Sequence, residues 1–181
     1  MRRLLKRHSD SDSFATANVD VEISLPSADS LVLLYTLSGR MNDIRIPPLV
    51  PAARRDELWQ HTCFEAFIRA SSGPEYYEFN FAPSTQWAVY QFSSYRNGMS
   101  VVTEITAPSI VVHSRPDCLT LQASLELNRL SGLTRKALWC LGLSALIEDI
   151  SGRKSYWALV HPPGKPDFHH ASSFVHEFSP P

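Results

Sequence analysis

The sequence has no excess of either charge and no long apolar run. Its 17 Lys and Arg residues nearly balance its 18 Asp and Glu residues, so the net charge is −1 with neutral histidine. Balanced charge provides no electrostatic attraction for nucleic acid or for an anionic membrane. No segment approaches the ~18 consecutive apolar residues of a membrane-spanning helix. We therefore expect neither a nucleic-acid partner nor a membrane.

Paired cysteines and nucleophile motifs are also missing. The three cysteines, Cys63, Cys118 and Cys140, form no CxxC pair and lie in apolar runs, a pattern typical of buried free thiols. The sequence contains no GxSxG motif and no glycine-rich phosphate loop. These absences argue against a serine hydrolase and against a nucleotide-binding enzyme.

We do not expect the first residues of the chain to form a secretory signal. Leu4 and Leu5 are the only apolar residues between the basic residues there, whereas a signal peptide needs an apolar stretch of roughly 7–15 residues. We expect residues 1–13 to be a flexible lead-in. Residues 14–181 have the length of one domain, and we expect a cytoplasmic protein.

Alternation of apolar and polar residues dominates the chain. It is clearest over residues 19–25, 76–81 and 119–127, where every second side chain is apolar. A period of two indicates strands with one buried face, as in antiparallel sheets.

Other segments are apolar on both sides. Residues 31–37 and 137–147 fit central strands, and Gly142 favours a strand over a helix in the second. Shorter strands are predicted over 100–105, 109–114 and 154–160, and one short helix or turn over 51–60. About ten strands separated by turn residues predict an all-β fold, an antiparallel β-sandwich with little helix.

Two neighbouring predicted strands carry the densest set of polar candidates. His61 and Glu65 share one face of the strand that begins near Leu58, and Glu78 and Asn80 share the polar face of the next. If the strands pair, these side chains converge on a solvated groove. Carboxylates and amides bind hydroxyl groups, and aromatic rings stack on sugar faces. The sequence that follows adds further polar and aromatic candidates: Trp87, Tyr95 and Arg96.

A second rich segment spans residues 156–170 and reads YWALVHPPGKPDFHH. Its three prolines exclude regular structure in the middle of the segment, so we expect a stiff loop that displays His161 and Lys165 and forms one wall of the groove. The spacing of His161, His169 and His170 fits no standard zinc motif, and we predict no metal site.

Three blocks of the chain resemble a known family. LWQHTCFEAFI, YYEFNFAPSTQWAVYQFSSYRNGM and SYWALVHPPGKPDFHH are similar to the DOMON-like bacterial proteins, which are related to family 9 carbohydrate-binding modules. The resemblance extends from about Val19 to Phe178. It implies an antiparallel sandwich with a ligand groove. It assigns the groove to the following residues: Trp59, His61, Glu65, Glu78 and Asn80.

Sugar-binding members of the wider family clamp their ligand between two tryptophans, and the resemblance makes Trp87 and Trp157 the candidates here. Haem-binding members use an axial Met and an axial His, and Met41 and Met99 are the internal methionines.

We interpret the sequence as a non-catalytic binding module for a carbohydrate or a similar small polar molecule, without a cofactor. The alternatives are a haem-binding domain and a glycoside-processing enzyme that uses Glu65 and Glu78. The oligomeric state stays open. The predicted ligand-binding residues are Trp59, His61, Glu65, Glu78, Asn80, Trp87, Tyr95, Arg96, Trp157, His161 and Lys165.

Overall fold

A computed structural model of the chain describes residues 1–12, 15–133 and 137–179. Within these ranges the chain forms thirteen β-strands and three short 3-10 turns, with no α-helix. The first seven strands are β1 Arg2–Leu4, β2 Lys6–Arg7, β3 Thr16–Ser27, β4 Ser30–Gly39, β5 Cys63–Ala70, β6 Tyr76–Phe81 and β7 Trp87–Phe92. The remaining six are β8 Ser100–Val101, β9 Ser109–Arg115, β10 Cys118–Glu126, β11 Trp139–Glu148, β12 Lys154–Ala158 and β13 His176–Phe178.

The 3-10 turns are Met41–Asp43, Leu58–Gln60 and Ala171–Ser173. A short helix or turn was predicted over 51–60, and only the turn Leu58–Gln60 forms there. Three prolines precede this turn, and the first residues of the segment are extended. No helix in the described ranges has the length and apolar character that crossing a membrane requires.

The strands form two antiparallel sheets. The five-stranded sheet has the order β1-β3-β4-β10-β9, and the eight-stranded sheet has the order β2-β12-β11-β5-β6-β7-β8, with β13 also paired to β11. The two sheets share one apolar core, to which β3, β4 and β10 contribute from one side and β5, β6, β7 and β11 from the other. The predicted all-β antiparallel sandwich is confirmed.

The central strands of the eight-stranded sheet are buried on both faces. The second face of this sheet carries a separate apolar cluster, in which Leu58, Phe168 and Phe174 from the connecting segments cover the sheet. Every residue of β6 and of β11 is buried, which explains why the sequence of β11 shows no alternation. A Cβ atom on Gly142 would lie 3.0 Å from the carbonyl oxygen of Ser173, so glycine permits the close approach of the covering segment.

The first residues differ from the expected flexible lead-in. β1 pairs with β3 and β2 pairs with β12, so this short segment joins an edge of each sheet. Leu5, between the two strands, is 1% exposed. The Arg2 guanidinium donates to the Asp20 carboxylate at 2.8 Å. Strands of two and three residues are too short to show a period, and their partners lie far along the chain; Ser13 falls outside the described residues.

Candidate functional site

A cleft of about 620 Å³ lies beside the eight-stranded sheet. It is formed by the segment 45–62 and by the turn between β6 and β7, and we call it the principal cleft. Its lining combines apolar residues with side chains that can donate or accept hydrogen bonds. The lining residues are Arg45, Ile46, Pro47, Pro48, Val50, Arg55, Asp56, Glu57, Leu58, Gln60, His61, Thr62, Ala82, Ser84 and Gln86.

Backbone contacts hold the irregular wall of the principal cleft against β7. The amide of Arg55 donates to the carbonyl of Trp87 at 2.9 Å, and the amide of Trp87 donates to the carbonyl of Ala53 at 3.1 Å. The guanidinium of Arg54 lies 4.4 Å from the ring centre of Trp87, a cation–π distance. The wall is therefore fixed to the sheet although it contains no strand or helix.

Buried partners orient several polar side chains of the cleft. The Tyr90 hydroxyl donates to Asp56 Oδ1 at 2.7 Å. His61 Nδ1 lies 2.7 Å from Glu148 Oε2, and Arg45 Nη1 lies 3.3 Å from Glu148 Oε1. These contacts arrange the groups of the cleft before any ligand arrives.

Two residues at the cleft adopt left-handed backbone conformations that glycine normally takes. Glu57 has φ of 62° and Thr85 has φ of 76°, and the second is exceptional because Thr is β-branched. The Thr85 hydroxyl donates to the carbonyl of Val50 at 2.7 Å, which links the two sides of the cleft. Such strained residues concentrate at functional sites.

Of the eleven residues predicted to bind a ligand, only His61 lines the principal cleft. Trp59 lies between two lining residues and is 48% exposed. Trp87 and Trp157 are buried in the core between the sheets, at 6% and 4% exposure. The predicted clamp of these two tryptophans is wrong, because their large rings fill the inner face of the sheet.

Glu65, Glu78 and Asn80 do converge, as the strand pairing predicted. Glu65 lies opposite Asn80 in the register of β5 and β6, and Asn80 Nδ2 donates to Glu78 Oε1 at 2.7 Å. The Ser144 hydroxyl donates to Glu65 Oε2 at 3.1 Å. All three predicted residues are at most 5% exposed, however, so the expected solvated groove is wrong. The segment that carries Phe174 covers this face of the sheet.

Burial governs the ionisation of this cluster. Burial, and then the charge of Glu78, raise the pKa of Glu65 to about 8, and burial raises the pKa of Glu78. Burial lowers the pKa of His169 to about 4. His169 Nε2 is 3.7 Å from Glu78 Oε2, but the neutral imidazole makes this contact a polar one and not an ion pair at pH 7.

The other predicted residues line two smaller clefts. Tyr95, Arg96 and Lys165 border one of about 420 Å³, where Arg96 pairs with Asp167 at 2.9 Å. His161 borders another, of about 330 Å³. Glu65, Glu78 and Asn80 line none of these clefts.

The three histidines considered for a metal each have a protein partner. His161 Nε2 lies 2.8 Å from the carbonyl oxygen of Lys6, and His169 Nδ1 lies 2.8 Å from the hydroxyl of Tyr76. His170 Nδ1 accepts from the amide of Ser172. Among residues 1–12, 15–133 and 137–179, no group of three or more His, Cys, Asp or Glu side chains is placed to hold a metal ion.

The methionines proposed for haem lie apart from the principal cleft. Met41 is buried in the core between the sheets, and Met99 is 61% exposed.

Sequence reasoning missed most of the principal cleft, including Arg45, Asp56 and Gln60. A signal was present: residues 45–57 form a long connection rich in proline and charge, and long irregular connections in compact domains usually carry function. From the sequence, the prolines of this connection were interpreted only as a break between two strands.

No protein-family profile matches the sequence, and no curated protein matches it. Solved structures do match its fold. A proposed carbohydrate-binding protein from Bacteroides uniformis superposes with a TM-score of 0.72 at 11% identity, over 97% of this chain and 84% of that one.

Family 9 carbohydrate-binding modules from Caldicellulosiruptor kristjanssonii also match. The cellotriose complex gives a TM-score of 0.57 at 14% identity, over 98% of this chain and 80% of that one. The glucose complex gives 0.53 at 15% identity, over 92% and 78%. The chain has the β-sandwich fold of these modules.

Proposed function

We propose that the protein is a non-catalytic binding module for a carbohydrate or a similar small polar molecule, and that the principal cleft is its binding site. The observation that carries the proposal is a cleft of about 620 Å³, with pre-oriented polar side chains, on the fold of modules that hold cellotriose and glucose. This volume is typical of small-molecule sites.

The chemistry of the principal cleft suits a hydroxylated ligand. Arg55 and Gln60 can donate hydrogen bonds, and Asp56 and Gln60 can accept them. Apolar surface from the proline segment lies beside these groups, and Trp59 offers an exposed ring next to the lining residues. Sugars present both hydroxyl groups and apolar faces, so they can use both kinds of surface.

Binding accounts for the geometry better than glycoside hydrolysis does. Hydrolysis by a pair of carboxyl groups requires both to reach the scissile bond. Glu65 and Glu78 are 3% and 5% exposed and line none of the clefts described above.

Calorimetric titration with cellotriose, glucose and a panel of other glycans tests the proposal. We expect a measurable dissociation constant for at least one sugar, and about tenfold weaker binding by Gln60→Ala because one ligand hydrogen bond is lost. Gln122→Ala is the matched control, since Gln122 is exposed on the five-stranded sheet. Absence of binding by the wild type at millimolar sugar, or equal losses in both variants, contradicts the proposal.

A further inference from the structure

A single buried carboxylate contacts two side chains of the principal cleft. Glu148 ends β11 and is 5% exposed. Its Oε2 lies 2.7 Å from His61 Nδ1 and its Oε1 lies 3.3 Å from Arg45 Nη1. Glu148 does not itself line the cleft, so any effect on a ligand passes through these two side chains.

The backbone around this carboxylate is tied from three directions. The amide of Arg45 donates to the carbonyl of Glu148 at 2.9 Å. The amide of Glu148 donates to the Thr62 hydroxyl at 3.1 Å, and that hydroxyl donates to the carbonyl of Arg45 at 2.9 Å. The backbone of Glu148 is thus held against Arg45 and against Thr62, the neighbour of His61 in the chain.

The contact with Glu148 determines where the proton of neutral His61 resides. An ionised carboxylate can only accept, so the ring nitrogen that faces it must carry hydrogen. His61 Nδ1 is then protonated, and Nε2 keeps a free lone pair. The side chain is 60% exposed at the cleft, and no described residue forms a hydrogen bond with Nε2.

We propose that Glu148 is a positioning residue that holds His61 in the Nδ1–H tautomer, so that Nε2 accepts a hydrogen bond from a ligand hydroxyl. The inference rests on the proposed function and refines its ligand class. Glu148 also pairs with Arg45, so the opposite charges of these two neighbours of His61 offset each other. A neutral hydroxyl group fits this position, whereas a carboxylate or a sulfate would face a lone pair.

Nitrogen-15 NMR of the histidine rings tests the tautomer without any ligand. We expect the Nδ1–H form of His61 in the wild-type protein at a pH where the ring is neutral. A carboxamide can donate as well as accept, so Glu148→Gln removes the constraint and shifts the population towards Nε2–H. Glu126→Gln is the matched control, because Glu126 is exposed on the five-stranded sheet. A wild-type ring in the Nε2–H form overturns the inference.

Calorimetry tests the consequence for binding. With the sugar found by the glycan panel, we expect Glu148→Gln to weaken binding about tenfold, and to weaken it clearly less in a His61→Ala background, where only the contact with Arg45 remains. Independent, additive losses overturn the role of Glu148 as a positioning residue. If Glu148→Gln does not fold, two other measurements decide whether His61 accepts a ligand hydrogen bond through Nε2. These are the wild-type NMR spectrum and the binding of deoxy-sugars by His61→Ala. Failure of every sugar to bind overturns the proposed function instead, and leaves the tautomer result intact.

Discussion

Glu65 and Glu78 occupy an environment that ordinary carboxylates avoid. Both are buried on the covered face of the eight-stranded sheet, where burial opposes their ionisation and raises the pKa of each. The hydrogen bonds from Ser144 and Asn80 oppose this effect without cancelling it. The folded protein therefore keeps a carboxyl proton that the unfolded chain releases.

The proton held by Glu65 makes stability depend on pH. The pKa of Glu65 is raised from 4.5 to about 8, so between these values the folded state binds more protons than the unfolded state. The free energy of unfolding therefore falls as pH rises, by about 1 kcal/mol per pH unit. Below pH 6.5 the lowered pKa of His169 acts in the opposite direction, so the decline is clearest between pH 6.5 and 8.

Urea unfolding at several pH values between 6.5 and 8 measures this slope. We expect Glu65→Gln to reduce it, because the amide does not titrate. A free energy of unfolding that stays constant across this range in the wild type would show that Glu65 is already ionised at pH 6.5.

At the scale of single elements, the first two strands are the least expected part of the fold. Leu4 and Leu5 are adjacent, yet Leu4 is 61% exposed and Leu5 is 1% exposed. The amide of Leu5 donates to the carbonyl of Val19 at 2.9 Å, which fixes its side chain in the core.

This contrast provides a matched pair of substitutions. We expect Leu5→Ala to lower the free energy of unfolding by about 2–4 kcal/mol, because it leaves a cavity in the core. Leu4→Ala should change it by less than about 0.5 kcal/mol. Guanidinium denaturation of both variants makes the comparison, and equal effects would mean that the first strands detach from the sheets in solution.

The sequence predicted the strands whose burial alternates and also a run that is apolar on both sides. β3 and β10 alternate because one face of the five-stranded sheet is solvated, and residues 137–147 correspond to β11. β1 and β2 are stabilised by partners more than ten residues away, which no local pattern records. The same limit explains why Glu65 and Asn80 were correctly paired but placed in solvent: the segment that covers them begins far along the chain. The cytoplasmic location stays a prediction.

At the scale of the whole molecule, one hydrogen bond crosses the core between the two sheets. The hydroxyl of Tyr35 in β4 donates to the backbone carbonyl of Glu65 in β5 at 2.8 Å. The ring of Tyr35 is fully buried and lies 5.0 Å from that of Phe64. Apolar contacts between the sheets are non-directional, so this bond helps to fix how the sheets align.

We expect Tyr35→Phe to reduce the free energy of unfolding by about 1 kcal/mol, since it removes a buried hydrogen bond but keeps the ring. Tyr95→Phe is the control, because the Tyr95 hydroxyl also donates a hydrogen bond, to the carboxylate of Asp167, but at an exposed position. Thermal and chemical denaturation measure both variants. A loss as large for Tyr95→Phe as for Tyr35→Phe would contradict a specific role for the contact between the sheets.

The principal cleft belongs to the same scale, because no single element contains it. It joins the segment 45–62 to the turn after β6, and Glu148 at the end of β11 contacts two of its side chains, so these parts meet only when the sheet has formed. The alternation of apolar and polar residues predicted the fold and a polar site, but the location of the cleft depended on long-range packing.

The five-stranded sheet turns one broad face to water, while the principal cleft borders the other sheet. Along β10 the outward side chains alternate with core residues, and Gln122 and Glu126 are exposed. A chemical anchor placed at Gln122 would attach the protein to a solid support with its cleft directed towards the liquid. All copies of the sandwich would then present the principal cleft to dissolved molecules in one orientation.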